Sequence, residues 1–263
     1  VMKIFLSSFI KDEPTLCVCS KAKFFMDTLN KRYSDDEGSK DSVKIESFHD
    51  STFINTEAPM PFSKLGLSSP IVKAVNALGY DKPTSIQEKA IPIVLSGRNL
   101  IAAAQTGTGK TASFVLPILE MLSKGTTQRK KRIRAVILAP TRELAVQVDR
   151  NIKKYAKHLN LTSLAMYGGV EYKHQKERLI EGVDILVATP GRLIDMYGQK
   201  AVYFEEVEVL VLDEADRMLD MGFIEDINKI IARLPQDVQN LLFSATLSNP
   251  VRDLAKSAIQ EAE

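Results

Sequence analysis

Tryptophan is absent from this sequence, and cysteine and histidine are scarce, with two and three residues respectively. The two cysteines, Cys17 and Cys19, stand too close together in the chain for an ordinary disulfide. A metal site would need further ligands, which three scattered histidines do not supply. We therefore expect reduced thiols and neither a disulfide framework nor a structural metal site.

Long apolar runs are also missing, and no stretch approaches the length of a membrane span. The first ten residues make a poor signal peptide because Asp12 and Glu13 follow them closely. The net charge of +2 is too small to indicate nucleic-acid binding by itself. These absences favour a soluble, cytoplasmic and monomeric chain, in which any RNA or DNA surface is local.

The composition of the chain changes near residue 60. Residues 1–60 have no sustained periodicity and include the polar run Ser34–Ser42, whose composition is typical of a flexible connector. We expect a partly flexible N-terminal extension over residues 1–60, with one or two short helices before Tyr33. Residues 61–263 are long enough to form one large globular domain.

Short apolar runs alternate with amphipathic stretches from residue 61 onward. The predicted strands are 99–104, 135–139, 161–166, 184–188, 207–212 and 240–243. Helices are expected from Ser68 or Ser69 to Leu78, after Pro83, and around Phe114, Ala145, Glu177, Ile194 and Ile227. Continuous apolar strands that alternate with helices predict an α/β fold, with a parallel sheet covered on both faces.

A glycine-rich turn that closes with Lys-Thr follows the first of these main strands. Gly107 and Gly109 let the backbone bend so that successive N–H groups point at an anion, and the helix beginning near Lys110 adds its positive dipole end. Lys110 would reach the β- and γ-phosphates of a nucleotide, and the Thr111 hydroxyl would ligate Mg²⁺. The strict pattern G-x-x-x-x-G-K-[ST] is not met, because Ala104 stands at its first glycine. The alternative is a turn that binds no ligand. The candidate cradle residues are Ala104, Gln105, Thr106, Gly107, Thr108, Gly109, Lys110 and Thr111.

Each of the other predicted strands also ends in a polar motif. In a parallel sheet, ligands gather beyond the carboxyl ends of the strands, so motifs at these positions form one surface. The motifs are Pro140–Leu144, Gly168–Gly169, Thr189–Arg192, Asp213–Asp216 and Ser244–Thr246.

Asp213 and Glu214 emerge from a buried strand where a magnesium-bound γ-phosphate would sit. Asp213 could hold the Mg²⁺, through water, and Glu214 could orient or deprotonate the attacking water. The alternative is that both residues only cap the helix that starts near Ala215. Together with the cradle, the carboxylate pair predicts hydrolysis of a nucleoside triphosphate, with Lys110, Asp213 and Glu214 as catalytic residues.

The motifs at 104–111, 140–144, 189–192, 213–216 and 244–246, taken in this order, resemble the first RecA-like domain of a DEAD-box RNA helicase. The resemblance covers residues from about 61 to 258, and the run from Leu212 to Phe223 is similar to bacterial members. Ala104 in place of the first glycine is the usual form in this family. The resemblance implies a RecA-like fold and an ATP-dependent RNA helicase that uses Mg²⁺.

The resemblance also implies roles that spacing alone does not give. The stretch 79–87 looks like the adenine-reading motif, in which Pro83, Thr84 and Gln87 bind the nucleotide, and Phe62 fits the upstream aromatic that stacks on the base. Asp216, Ser244 and Thr246 would couple the nucleotide site to a neighbouring domain. The residues that resemble the family's contacts to the RNA backbone are Pro140, Thr141, Arg142, Gly168, Gly169, Thr189, Pro190, Gly191 and Arg192.

The family's second RecA-like domain, with its arginines for the γ-phosphate, has no counterpart in a sequence that stops at Glu263. The first hypothesis is therefore half of an RNA helicase, weakly active by itself. The second is a non-catalytic module that binds nucleotide or RNA and acts by competition or tethering; intact Lys110, Thr111, Asp213 and Glu214 favour the first. A DNA-directed ATPase is disfavoured by the adenine motif and by the Thr-Pro-Gly-Arg signature.

The basic run Gln128–Arg134 invites a nucleic-acid interpretation. It lies between a predicted helix and the next strand, where a solvated loop is the better interpretation. His158 and His174 lie in charged helical surroundings, and no chemistry is assigned to them.

Overall fold

A computed structural model describes residues 3–4, 18–19, 61–124 and 132–260. These residues form an eight-stranded sheet in the order β1-β3-β8-β7-β4-β6-β5, with β2 also paired to β3. Six neighbouring strands run parallel to one another, namely β3, β8, β7, β4, β6 and β5, whereas β1 and β2 pair antiparallel with β3. The strands are β1 Lys3–Ile4, β2 Val18–Cys19, β3 Asn99–Ala103, β4 Ala135–Leu138, β5 Ser163–Met166, β6 Ile185–Ala188, β7 Val209–Leu212 and β8 Gln239–Ser244.

Nine α-helices and one 3₁₀-helix, Phe62–Leu65, accompany the sheet within the described residues. The α-helices are α1 Ser69–Ala77, α2 Ser85–Leu95, α3 Lys110–Ser123, α4 Arg142–Tyr155, α5 Tyr172–Glu181, α6 Pro190–Gly198, α7 Ala215–Asp220, α8 Ile224–Ile231 and α9 Asn249–Gln260. None of these helices is both long and apolar enough to cross a membrane.

Both faces of the sheet are buried, as the continuous apolar strands predict. One core is built from α1 to α4 with one face of the sheet, and there the rings of Phe114 and Phe243 lie 5.0 Å apart. The second core joins the opposite face to α6, α8 and α9. Ile137 of β4 points into the first core, whereas its neighbours Val136 and Leu138 point into the second. This alternation explains why every residue of β4 is apolar and buried.

Most predicted elements are present, with ends that differ by one or two residues. The strand predicted to begin at Leu161 begins at Ser163, because the Asp184 carboxylate accepts a hydrogen bond from the Thr162 N–H and regular pairing starts one residue later. Helix α9 lies outside the predicted elements. Its buried residues recur at helical spacing and complete the second core; they are Val251, Leu254, Ala255 and Ala258.

The extension predicted for residues 1–60 falls almost wholly outside the described residues. Its two described segments are the two-residue strands β1 and β2, and each pairs antiparallel with the outer edge of β3. The helices predicted before Tyr33, the connector Ser34–Ser42 and the Cys17 thiol all lie outside the described residues.

The order of the strands arranges the motifs along one edge of the sheet. The motifs that follow β3, β8 and β7 stand side by side, and they are the cradle, residues 244–246 and residues 213–216. The motifs that follow β4, β6 and β5 continue the same edge, and they are residues 140–144, 189–192 and 167–169. The edge is therefore divided into a predicted nucleotide half and a predicted RNA half.

Candidate functional site

The cradle is the turn between β3 and α3, and two of its glycines have backbone angles that favour glycine. Gly107 has φ +86° and Gly109 has φ +90°, both in the left-handed region. The Thr108 hydroxyl donates to the Gln105 carbonyl over 2.8 Å and braces the turn. Gln105, Thr106 and Gly107 are exposed at the N-terminus of a fourteen-residue helix. A helix N-terminus under an exposed turn of this kind suits an anion.

Lys110 and Asp213 are the two buried charged groups beside this turn. Their side chains belong to residues that are only 7% and 2% exposed, yet Lys110 Nζ and Asp213 Oδ1 have no hydrogen-bond partner among the described residues. Burial raises the pKa of Asp213 to about 7, although the Lys110 charge lowers it and the Glu214 charge raises it further. A buried ammonium and a buried carboxylate oxygen that lack hydrogen-bond partners fit a site completed by phosphate oxygens and a divalent cation.

Glu214 is held in an unusual backbone conformation. It has φ +53° and ψ +52°, the left-handed region that a residue with a side chain rarely adopts. Glu214 occupies the N-cap position of α7, but its side chain makes no capping hydrogen bond there. The structure therefore does not support the alternative in which Glu214 merely caps this helix.

The predicted adenine motif contacts the cradle directly through Thr84 and Gln87. The Thr84 hydroxyl donates to the Thr108 carbonyl over 2.8 Å, and Gln87 Nε2 donates to the Gly109 carbonyl over 3.2 Å. Gln87 Oε1 accepts from the Thr84 N–H over 2.9 Å, so both ends of this buried amide are engaged. The start of α2 and the cradle turn are thus joined by hydrogen bonds.

Phe62 and Pro83 are both buried in the described structure. Phe62 is only 2% exposed and packs in the first core with residues of α1 and α2. Its ring therefore offers little surface to a base in this conformation, and base stacking by Phe62 stays a prediction.

Asp216, in the first turn of α7, connects the segment that follows β7 to the segment that follows β8. Its Oδ2 accepts from the N–H groups of Ala245 and Thr246, each over 3.1 Å, and from the Thr246 hydroxyl over 3.2 Å. The Asp216 N–H in turn donates to the buried Ser244 hydroxyl over 3.3 Å. The three predicted coupling residues are therefore in direct contact.

On the predicted RNA half, Arg142 is exposed at the start of α4. Its guanidinium carbon lies 5.3 Å from the centre of the Tyr167 ring, at the base of the loop that carries Gly168 and Gly169. Both glycines are exposed, and Gly169 has φ +78°. The Thr141 hydroxyl accepts from the Leu144 N–H over 3.2 Å, which caps α4 and leaves the hydroxyl hydrogen available.

Thr189, Pro190 and Gly191 begin α6 beside this loop, and the Thr189 N–H donates to the Met166 carbonyl. Arg192, which the sequence predicts as an RNA contact, is only 7% exposed. Its Nε donates to Gln175 Oε1 over 3.0 Å, and its guanidinium carbon lies 3.6 Å from the Tyr172 ring centre. Gln175 and Tyr172 were missed at the sequence level, because a glutamine and a tyrosine in a charged helix give no signal of burial.

The basic run is only partly described, because residues 125–131 lie outside the described part of the chain. Of its described residues, Arg132 pairs with Glu206 over 3.3 Å and Arg134 with Glu208 over 2.6 Å. Both arginines therefore pair with acidic residues of the protein itself, and the solvated-loop interpretation of the run stays a prediction. No cluster of histidine, cysteine and acidic residues suitable for a metal occurs in the described portion.

Comparison with known proteins gives a family and a fold. Residues 84–254 match the DEAD/DEAH box helicase family. The ATP-dependent RNA helicase CshA of Listeria monocytogenes is 45% identical over 204 residues, which cover 77% of this chain and 38% of that protein. A protein named as a probable ATP-dependent RNA helicase of Dictyostelium discoideum is 46% identical over 201 residues, or 76% of this chain and 26% of that protein.

A solved structure has the same fold. The crystal structure of a DEAD box protein from the hyperthermophile Methanococcus jannaschii superposes with a TM-score of 0.70 at 41% identity, covering 75% of this chain and 53% of that one. This confirms the predicted RecA-like fold. The family match runs from Thr84 to Leu254 and takes in every predicted site residue except Phe62 and Pro83, so the chain belongs to the DEAD/DEAH box helicases.

Proposed function

We propose that this chain is the nucleotide-binding and RNA-binding first RecA-like domain of a cytoplasmic ATP-dependent RNA helicase. The chain spans about a quarter to two fifths of the length of the curated relatives it matches. A second RecA-like domain would complete the enzyme and couple ATP hydrolysis to local unwinding of an RNA duplex or remodelling of an RNA–protein complex. Residues 61–263 form the domain in this proposal, and residues 1–60 form an extension.

The buried pair Lys110 and Asp213 is the observation that carries this proposal. Buried polar atoms without hydrogen-bond partners, here Lys110 Nζ and Asp213 Oδ1, are costly inside a protein, and a phosphate–cation pair would compensate both. Lys110 would neutralise the β- and γ-phosphates, while backbone N–H groups of residues 105–109 would bind their oxygens. Thr111 and Asp213 would hold Mg²⁺, which supplies charge neutralisation of the phosphates when bound.

Glu214 would orient the attacking water and take up its proton. Its side chain is half-buried next to Asp213 and makes no capping hydrogen bond to α7, so the carboxylate is available for this role. The left-handed backbone at Glu214 supports this role, because strain of this kind persists where the surroundings enforce it and is concentrated at functional sites.

ATP would be selected by Gln87, together with Pro83, Thr84 and Phe62. An amide offers one donor and one acceptor, which match the N7 and N6 positions of adenine. The present hydrogen bond from Gln87 Nε2 to the Gly109 carbonyl would connect base recognition to the shape of the cradle.

RNA would lie along the other half of the edge and be bound through its backbone without sequence specificity. Pro140, Thr141 and Arg142 would contribute from the start of α4, and Gly168 and Gly169 from the neighbouring loop. Thr189, Pro190 and Gly191 would contribute from the start of α6. Exposed N–H groups, a hydroxyl and a guanidinium suit phosphates and sugars. Asp216, Ser244 and Thr246 would transmit the state of the nucleotide to the second domain.

Titration calorimetry with Mg·ATP and Mg·ADP tests the proposal. Lys110→Ala should bind about tenfold to a hundredfold more weakly, because one hydrogen bond to a charged group contributes about 1.5–3 kcal/mol. Lys73→Ala removes an exposed lysine of α1 and should bind like the wild type. Equal affinity of Lys110→Ala and Lys73→Ala would contradict the assigned role of Lys110.

A further inference from the structure

The C-terminal end of α2 is held by a buried glutamine that the proposed function does not use. Gln239 is the first residue of β8 and is only 6% exposed. Leu241 and Phe243 of the same strand pack in the first core, so the alternation of the strand turns Gln239 towards the same face of the sheet. Helix α2 covers that face, and its N-terminal end carries the predicted adenine motif.

The amide of Gln239 joins the end of α2 to the start of β3. Its Nε2 donates to the Val94 carbonyl, in the last turn of α2, over 3.0 Å, and to the Arg98 carbonyl, just before β3, over 2.7 Å. The two carbonyls lie on either side of Gly97, which has φ +75° in the turn between the helix and the strand. We call these two hydrogen bonds the α2 clamp.

The clamp uses only the donor end of the amide. Gln239 Oε1 is buried and has no hydrogen-bond partner among the described residues. An unsatisfied buried oxygen costs free energy, which an apolar side chain of similar size would avoid. The glutamine is therefore explained by its two donated hydrogen bonds, which hold α2 and β3 to the base of β8.

Helix α2 is fixed at both of its ends. At the N-terminal end, the Thr84 hydroxyl and Gln87 Nε2 donate to cradle carbonyls, and a Cβ on Gly109 would overlap Gln87 Nε2. The α2 clamp holds the other end. A packed helix that is held at one end only can slide or tilt over the sheet, whereas anchors at both ends keep it in one position. Because the cradle end has no spare room, a small shift of α2 would displace the amide of Gln87.

We propose that Gln239 is a positioning residue for recognition of the nucleotide base. By clamping the far end of α2, it holds Gln87 where that amide reads adenine, although Gln239 itself touches no nucleotide. The consequence for binding rests on the proposed ATP-binding function, whereas the effect of the clamp on α2 is measurable on the chain without nucleotide.

Hydrogen exchange of the chain without nucleotide tests the clamp. Gln239→Leu keeps the approximate side-chain volume and removes both donors. Amides 96–98 of the turn and amides 88–91 near the start of α2 should exchange about threefold to tenfold faster, while amides 146–153 of α4 should exchange as in the wild type. Gln236→Leu makes the same chemical change at an exposed position three residues earlier and should change none of these segments.

A second variant covers the case in which Gln239→Leu does not fold. Gln239→Asn keeps an amide but is shorter by one methylene group, so it can reach at most one of the two carbonyls. It should give the same pattern of exchange. Faster exchange at 96–98 alone would show that Gln239 supports only the turn, and equal acceleration in α4 would show only a lower global stability; either result would overturn the proposal.

Titrations with three ligands then separate base recognition from phosphate binding. Gln239→Leu should bind Mg·ATP about threefold to tenfold more weakly, with a lower preference for ATP over GTP, as expected for losing one ordering hydrogen bond. Mg·tripolyphosphate, which has no base, should bind within about twofold of the wild type. In the Gln87→Ala background, Gln239→Leu should cause no further loss of preference, because both changes act through the same amide.

Failure of the inference and failure of the proposed function give different results. Equal losses of affinity for Mg·ATP and Mg·tripolyphosphate would mean that Gln239 supports the cradle rather than the base site, and the inference would be wrong. If the wild-type chain binds none of the three ligands, the proposed function is wrong, and the exchange of amides 88–91 alone decides whether Gln239 positions α2.

Discussion

Replacement of Gly109 by alanine should destabilise the protein more than the same change at Gly107. Both residues have φ near +90°, where an alanine costs about 1–2 kcal/mol. A Cβ at Gly107 would meet nothing within 4 Å, whereas a Cβ at Gly109 would overlap Gln87 Nε2 and lie 3.1 Å from Thr84 Oγ1. Overpacking of this kind adds about 1–3 kcal/mol. We therefore expect a loss of about 1–2 kcal/mol for Gly107→Ala and about 2–5 kcal/mol for Gly109→Ala.

Urea unfolding of the two variants measures this difference. A constant slope of unfolding free energy against urea concentration would show that the denatured state is unchanged. Gly107→Ala serves as the control for backbone strain alone. The part of the loss that comes from overlap with Gln87 is measured in the Gln87→Ala background. There the stability lost in Gly109→Ala should fall towards the stability lost in Gly107→Ala. Equal penalties at the two glycines, or an undiminished penalty at Gly109 without the Gln87 side chain, would refute the coupling between the adenine motif and the cradle.

Three further predictions follow from the same edge and its supports. Gln87→Ala should lower the preference for ATP over GTP in competition titrations; an equal loss for both nucleotides would mean that Gln87 only shapes the cradle through the Gly109 carbonyl. The isolated chain, once verified as a monomer, should hydrolyse ATP slowly in a phosphate-release assay, and Glu214→Gln should abolish this residual activity. Adding the second domain in cis should increase the rate greatly, since an arginine finger contributes about 10³–10⁵ in rate; robust RNA-stimulated turnover by the chain alone would contradict this. Glu120 should stabilise the protein in a pH-dependent way. Burial raises the pKa of its carboxyl, but hydrogen bonds from Ser68 and Lys124 outweigh burial and hold the pKa below the usual value. The stability that Glu120 contributes is fully present above the unfolded pKa of about 4.3 and is lost as the pH falls through the lower folded pKa. The difference in free energy of unfolding between wild type and Glu120→Gln should therefore disappear in acid. A difference that persists at pH 2 would exclude this explanation.

Local sequence was sufficient for most of the elements, although not for α9, and for the turn between β3 and α3. The α/β class followed from continuous apolar strands alternating with amphipathic helices, and β4 shows why, since its residues alternate between two cores. The turn between β3 and α3 could be predicted because a strand, two glycines and Lys-Thr are contiguous in the chain. A contiguous motif needs no knowledge of which distant segment packs beside it.

Roles that depend on burial were less accessible to sequence. Arg192 is predicted as an RNA contact, but the sequence did not indicate that Gln175 and Tyr172 of α5 contact its guanidinium. Phe62 likewise lies inside the first core. Periodicity reports that one face of an element is apolar, but it does not report which polar side chain an adjoining helix will enclose.

The sequence by itself determined which residues stand at the end of each strand, because each motif directly follows its own apolar run. Only the tertiary structure decided that β8, the last strand in the chain, lies between β3 and β7. That order brings Ser244 and Thr246 to Asp216, and places the cradle and the Asp213–Glu214 pair two strands apart across β8. The physical reason is that parallel strands pair through backbone hydrogen bonds that any residue can make, so neighbours are chosen by how helices and strands distant in sequence fill the two cores.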